Sequence, residues 1–171
     1  MRPSAAAWAL AFTAAGTAAL AQGRPAVTFF IASDCPISNA YAPEILRICS
    51  AYAAKGVACA LAYEDAKIAP EALRNHIAEY RLLGMPATWD SDRKLAAGAN
   101  VTITPTAVIT DGRGSIRYQG RIDNLYINIG RTRQQVTSHD VADALDAVLA
   151  GRPVRQPRTE ALGCYIEPPR K

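Results

Sequence analysis

The sequence predicts an α/β layered fold built on a mixed sheet. Short apolar, β-rich runs alternate with segments of helical periodicity, and the last two extended runs are joined by the tight turn Asp111-Gly112-Arg113-Gly114, ahead of one more amphipathic helix. Strand–helix–strand units pair strands in parallel and a hairpin pairs them antiparallel, so a chain with both closes into a mixed sheet with helices on its faces.

The first element, PAVTFFIAS at residues 25 to 33, is continuously apolar and bounded by Pro25 and Ser33-Asp34, the pattern of a buried strand. From residue 38 to 54, Tyr41, Ile45, Ile48, Cys49 and Tyr52 recur at helical spacing, with Gly56 as the stop. VACALAY, residues 57 to 63, is a second buried strand. Residues 69 to 83 form a second helix, opened by Pro70 and Glu71 and closed by Gly84. A short extended piece, ATW, precedes a helical turn around residues 92 to 99. TAVIT and SIRYQGRI make the hairpin, in which Gly112 and Gly114 supply the turn conformations. The final helix lies within residues 138 to 150, with Ser138 as N-cap and Gly151 as stop.

The 171 residues hold one domain with appendages. Residues 1–21 read as an export signal: Arg2 is followed by an uncharged apolar run ending in Ala19-Leu20-Ala21, a small-x-small cleavage pattern. A membrane anchor fits less well, because the run is short, half alanine, and followed at once by Gln22-Gly23-Arg24. Residues 22–150 make the domain and 151–171 an extended, proline-rich arm carrying Cys164. The sequence carries a net charge of +4, too little to argue for nucleic acid, and the basic residues near the end read as a solvated tail. No further membrane span is expected, and export predicts a periplasmic or secreted protein.

All four cysteines, Cys35, Cys49, Cys59 and Cys164, lie beyond the signal, where thiols tend to be paired or turning over. Three full pairings are open. Cys35 stands where the first strand gives way to the first helix. A helix N-terminus stabilises the thiolate, the nucleophilic form, through unpaired N–H groups, and Pro36 fits the first turn, where a missing N–H costs nothing. The bland reading is a half-buried structural cysteine.

Around Cys35 the sequence resembles the thioredoxin-like superfamily, in the redoxin branch that includes TlpA-like proteins and peroxiredoxins. Ala42-Pro43 stand seven and eight positions after Cys35, as Ala-Pro does after the reactive cysteine of thioredoxins, and Thr104-Pro105-Thr106 looks like the family's cis-proline loop. The resemblance covers about residues 25 to 150. It implies a three-layer sandwich with a mixed central sheet flanked by helices. It also implies that Cys35 reacts and that the Thr104 backbone, ahead of Pro105, faces an extended substrate strand.

The departures are informative. The thioredoxin CxxC is Cys35-Pro36-Ile37-Ser38 here, so a local dithiol cycle is impossible. Ala32 and Thr28 stand where peroxiredoxins carry the peroxide-orienting threonine and a proline. Asn39 replaces the second cysteine of copper chaperones for cytochrome oxidase, and His76 and His139 read as surface residues, so no metal or other cofactor is expected. The family's buried acid in the first strand has no counterpart. Glu64 and Asp65, after the second strand, could serve near the same end of the sheet, but exposed loop acids are the favoured reading.

Cys49 and Cys59 lie close in any strand–helix–strand layout, as a structural disulfide or as two buried free thiols. Cys164 lies beyond the last helix; the twelve residues from 152 to 163 can span at most about 40 Å, against a radius of gyration near 15 Å, so the arm can reach Cys35. Resolving or capping Cys35 competes with the reading of a free or intermolecular cysteine in a mobile tail. The expected function is thiol–disulfide exchange through Cys35 with protein thiols or disulfides or a small thiol. The alternatives are an atypical thiol peroxidase acting on peroxide and a redox-inert binding domain.

Overall fold

A computed structural model describes residues 23–167; the expected export signal lies outside them. In chain order the elements are β1 (Ala26–Ile31), α1 (Pro36–Ala53), β2 (Ala58–Tyr63), α2 (Pro70–Glu79), β3 (Ala87–Trp89), α3 (Lys94–Gly98), β4 (Ile103–Thr104), β5 (Thr106–Thr110), β6 (Ile116–Gly120), β7 (Tyr126–Asn128), β8 (Arg131–Thr132), α4 (Asp140–Leu149) and β9 (Cys164–Tyr165). The central sheet has the order β3-β2-β1-β5-β6. β1 and β3 run parallel to β2, while β5 runs antiparallel to β1 and β6 antiparallel to β5. This is the mixed sheet that the alternation and the hairpin predict.

Residue alternation along the strands divides the core in two. Val27, Phe29 and Ile31 of β1, with Leu61, Tyr63, Ala107 and Ile109, meet Tyr41, Ile45 and Ile48 of α1 and Val141, Ala144 and Leu145 of α4, and Leu73 and Ile77 of α2 pack on the same cluster. The other face carries a smaller cluster of Phe30, Ala62, Val108, Val101 and Ala96 of α3. Helices thus cover both faces of the sheet, in three layers. Cys49 and Cys59 are joined by a disulfide with their Cα atoms 5.8 Å apart, tying the end of α1 to β2.

Several boundaries differ from the sequence reading. α2 stops at Glu79 because Arg81 takes φ +58°, which no helix continues through. α4 starts at Asp140 with His139 rather than Ser138 at its N-cap; the Ser138 N–H is engaged by Asn124 Oδ1 at 3.1 Å instead. The β7–β8 hairpin was not foreseen. The chain beyond α4 is not a loose tail: Gln119 and Arg158 form a parallel bridge beside β6, and β9 pairs antiparallel with β4.

Candidate functional site

The end of β1 and the start of α1 set the position of Cys35. Its backbone is extended, with φ −88° and ψ 110°; its N–H donates to Ala32 O at 3.2 Å and its carbonyl accepts the first helical bond from Asn39 at 3.0 Å. Pro36 occupies the first helical turn. The sulfur therefore sits at the positive end of an 18-residue helix, yet Cys35 is 0 % exposed.

The cover comes from β4 and β9. The Thr104–Pro105 peptide is cis, and the Cys35 thiol donates to Thr104 O at 3.4 Å. On the far side of β4, Thr104 is in register with Cys164, and Ile103 with Tyr165. The Ile166 N–H donates to Thr102 O at 2.9 Å and the Thr104 hydroxyl to Cys164 O at 3.5 Å. Only glycine fits at 163, because a Cβ there would lie 1.8 Å from Thr104 O. Upstream, the arm is held to the sheet by Thr159, whose N–H donates to Gln119 O at 3.1 Å and whose hydroxyl lies 2.6 Å from the Tyr118 hydroxyl. Four residues singled out in the sequence, Cys35, Thr104, Pro105 and Cys164, thus meet at one end of the sheet.

The two thiols are electrostatically unequal. Burial pushes Cys35 up, but hydrogen bonds to its sulfur from Cys164, from the Ser38 hydroxyl and backbone N–H, and from the Thr104 side chain outweigh burial and hold it below the ordinary thiol value. Cys164 is pushed up to about 12 by burial first, then by its hydrogen bond to Cys35 and the nearby negative charges of Cys35 and Asp34.

Three residues read as surface groups prove to be buried supports. His76 accepts from or donates to the Tyr63 hydroxyl at 3.0 Å through Nδ1 and meets Asn39 Oδ1 at 2.9 Å through Nε2; the Asn39 amide in turn donates to Ser33 O at 3.0 Å. Since Asn39 Oδ1 can only accept, Nε2 carries the proton and the Tyr63 hydroxyl donates to Nδ1. Burial lowers the His76 pKa, which keeps the ring neutral and this chain intact. Asp65 accepts from the Ser33 N–H at 3.1 Å and from the Ser33 hydroxyl, fixing the loop two residues before Cys35.

Glu64 is also buried, 3.4 Å from Arg93, and its Oε1 has no hydrogen-bond partner among the described residues. Burial and then the Asp90 charge push its carboxyl up to about 8, against the opposing pull of Arg93. Glu64, Arg93 and Cys164 line a cavity of about 360 Å³ together with Tyr165, Ile166 and Glu167 of the arm. Helical spacing alone read His76 as a surface residue; it is buried, and its partners come from β2 and α1. Among the described residues, no group of three or more histidine, cysteine or acidic side chains could hold a metal ion.

Scanned against protein-family models the chain finds no match, and no curated protein sequence matches it. Solved structures do. An uncharacterized conserved protein from Geobacillus kaustophilus is 26 % identical, with 86 % of this chain and 79 % of that one covered and a TM-score of 0.74. A hypothetical protein from Sinorhizobium meliloti is 24 % identical, covering 88 % and 82 %, also at 0.74. A secreted Mycobacterium tuberculosis disulfide oxidoreductase homologous to E. coli DsbE is 22 % identical, covering 76 % and 83 %, at 0.52. The mixed sheet, the helix-start cysteine and the cis-proline loop opposite it, with these likenesses, give the chain a thioredoxin-like fold.

Proposed function

We propose that the protein is an exported thiol–disulfide oxidoreductase whose redox couple is Cys35 and Cys164. The observation that supports this reading is the pairing of β9 with β4, which sets Cys164 in register with Thr104 while Thr104 O accepts from the Cys35 thiol. Ser38 leaves Cys35 without a local partner thiol, and the arm supplies one. In the forward direction, a substrate disulfide takes two electrons from the two thiols and leaves as two thiols, while Cys35 and Cys164 close into a disulfide; the reverse oxidises substrate thiols. Protein thiols and disulfides are the substrates in view. In this reading residues 1–21 direct export to the periplasm or medium, residues 22–150 form the catalytic domain and 151–171 the redox arm. Among the described residues, no helix is long and apolar enough to cross a membrane.

The test combines mapping with substitution. Non-reducing peptide mapping of oxidised protein is expected to find a Cys35–Cys164 disulfide beside Cys49–Cys59, and Cys35→Ser is expected to abolish exchange with a model disulfide. Undiminished exchange by that variant refutes the reading; rapid peroxide consumption with sulfenic acid at Cys35 would point to a peroxidase instead.

A further inference from the structure

The arm lies on the side of Thr104 that an extended substrate would need. On that edge of β4, β9 is already paired: Cys164 and Tyr165 stand opposite Thr104 and Ile103, and Ile166 donates to Thr102 O. Gly163 approaches so closely that not even a methyl group fits between it and Thr104 O. A peptide strand joined through its cysteine to Cys35 along this edge would expel β9 and take Cys164 out of reach, so the second half of the exchange would have no attacking thiol. One edge cannot serve both occupants.

Exposure points the same way. Cys35 is 0 % exposed, while Cys164 is only partly buried and lines the 360 Å³ cavity, to whose wall Cys35 does not contribute. Tyr165, next to Cys164, is 82 % exposed, so the arm's cysteine lies beside solvent while Cys35 lies beneath it.

We infer that Cys164, not Cys35, is the sulfur that exchanges with outside partners, and that Cys35 is the buried leaving group. This rests on the couple proposed above. Starting from the oxidised protein, a substrate thiolate attacks Cys164 Sγ; the Cys35–Cys164 bond breaks, its electron pair stays on Cys35 as thiolate, and a mixed disulfide forms between substrate and Cys164. The substrate's second thiolate then attacks the substrate sulfur of that mixed disulfide. The substrate leaves as a disulfide, and Cys164 departs as a thiolate and takes up a proton. Two electrons move from the dithiol to the protein, with no other reactant. The asymmetry of the pair favours this polarity, because the better leaving thiolate is the one held below its ordinary pKa, and that is Cys35.

The experiment uses the full mature chain, oxidised and shown by mapping to contain the Cys35–Cys164 bond, then mixed briefly with substoichiometric glutathione, quenched with acid, alkylated and digested. Glutathione is expected on the Cys164 peptide, with the alkyl group on Cys35, in at least tenfold excess over the opposite arrangement. Parity, or an excess on Cys35, overturns the inference and leaves the couple standing; absence of the Cys35–Cys164 bond overturns both. Because acid slows exchange between the two sulfurs, the ratio is read at several quench times and extrapolated to zero. An extrapolated ratio below tenfold also counts against the inference.

Discussion

Replacing Gly163 by alanine should weaken the Cys35–Cys164 bond without touching either sulfur. The added Cβ would lie 1.8 Å from Thr104 O, 2.7 Å from Thr104 C and 3.0 Å from Pro105 Cδ. An ordinary carbon–oxygen contact is about 3.3 Å, so β9 must withdraw by roughly 1.5 Å. The obstructing atoms are backbone and a proline ring, which cannot rotate aside. A bond such as Ile166 N–H to Thr102 O, now 2.9 Å, then opens past hydrogen-bonding distance.

Losing two such bonds costs about 1–3 kcal/mol. The arm is docked with both thiols free, and the disulfide closes only from the docked arm, so once the substitution releases the reduced arm the equilibrium constant for closing falls, by up to about 150-fold, which raises the potential of the couple by up to roughly 65 mV. The assay is equilibration in glutathione redox buffers, followed by alkylation and a count of oxidised and reduced protein, with circular dichroism confirming the fold. A closing constant within twofold of the parent's would show that the arm's fit against Thr104 has no part in the chemistry.

Removing the Cys49–Cys59 disulfide by a double alanine substitution should lower stability by about 2.5 kcal/mol, as a ten-residue loop implies, or roughly 5–10 °C in Tm, with thiol–disulfide exchange by the Cys35 and Cys164 couple retained; lost exchange in a folded variant would contradict a purely structural bond. Glu64 should make the protein less stable as pH rises. Its folded value of about 8 exceeds the unfolded one, so the native state holds the extra proton and stability is lost from about pH 4.5 up through 8. His76 has the opposite sign, its lowered pKa costing stability below about pH 6.5, and Cys35, held below the ordinary thiol value, is taken out of the titration by replacing it with serine, so urea titrations of Cys35→Ser between pH 7 and 8.5 read the carboxyl. Glu64→Gln should flatten the decline there, and an unchanged slope would mean that another group is responsible.

What the sequence made legible follows from how local each signal is. β1 and β2 are written in contiguous apolar runs and the first helix in apolar residues at helical spacing, and the cysteine where β1 meets that helix needs only Pro36 and the spacing to Pro43 to stand out. Cys49 and Cys59 are legible as neighbours because a short connection leaves them nowhere else to go. Glu64, Asp65 and His76 were misjudged because each is buried by something distant in the chain: Arg93 and the arm over Glu64, Ser33 against Asp65, Tyr63 and Asn39 around His76. The docking of the arm rests on a two-residue strand, β9, whose partner is another two-residue strand. Neither is long enough to show a period. Gly163 was the available clue, and its meaning depends on a close approach that only the folded backbone reveals.

In the proposed couple, the bond between Cys35 and the strand that carries Cys164 is thermodynamically linked to the fold. A CxxC pair closes a loop of a few residues, so its disulfide barely depends on whether the rest of the chain is folded. Cys35 and Cys164 are separated by about 130 residues, and closing that loop in the unfolded chain costs about 5 kcal/mol of entropy in the chain-entropy model. By reciprocity the closed bond stabilises the folded state by the same amount, and whatever destabilises the fold weakens the bond. The comparison that isolates this is oxidised parent against oxidised Cys164→Ser, since both keep Cys49–Cys59. The parent should resist urea by several kcal/mol more, with about 5 as the ceiling. Coincident unfolding curves would mean that no long-range bond forms, and Cys35 would then have to find its second thiol outside this chain.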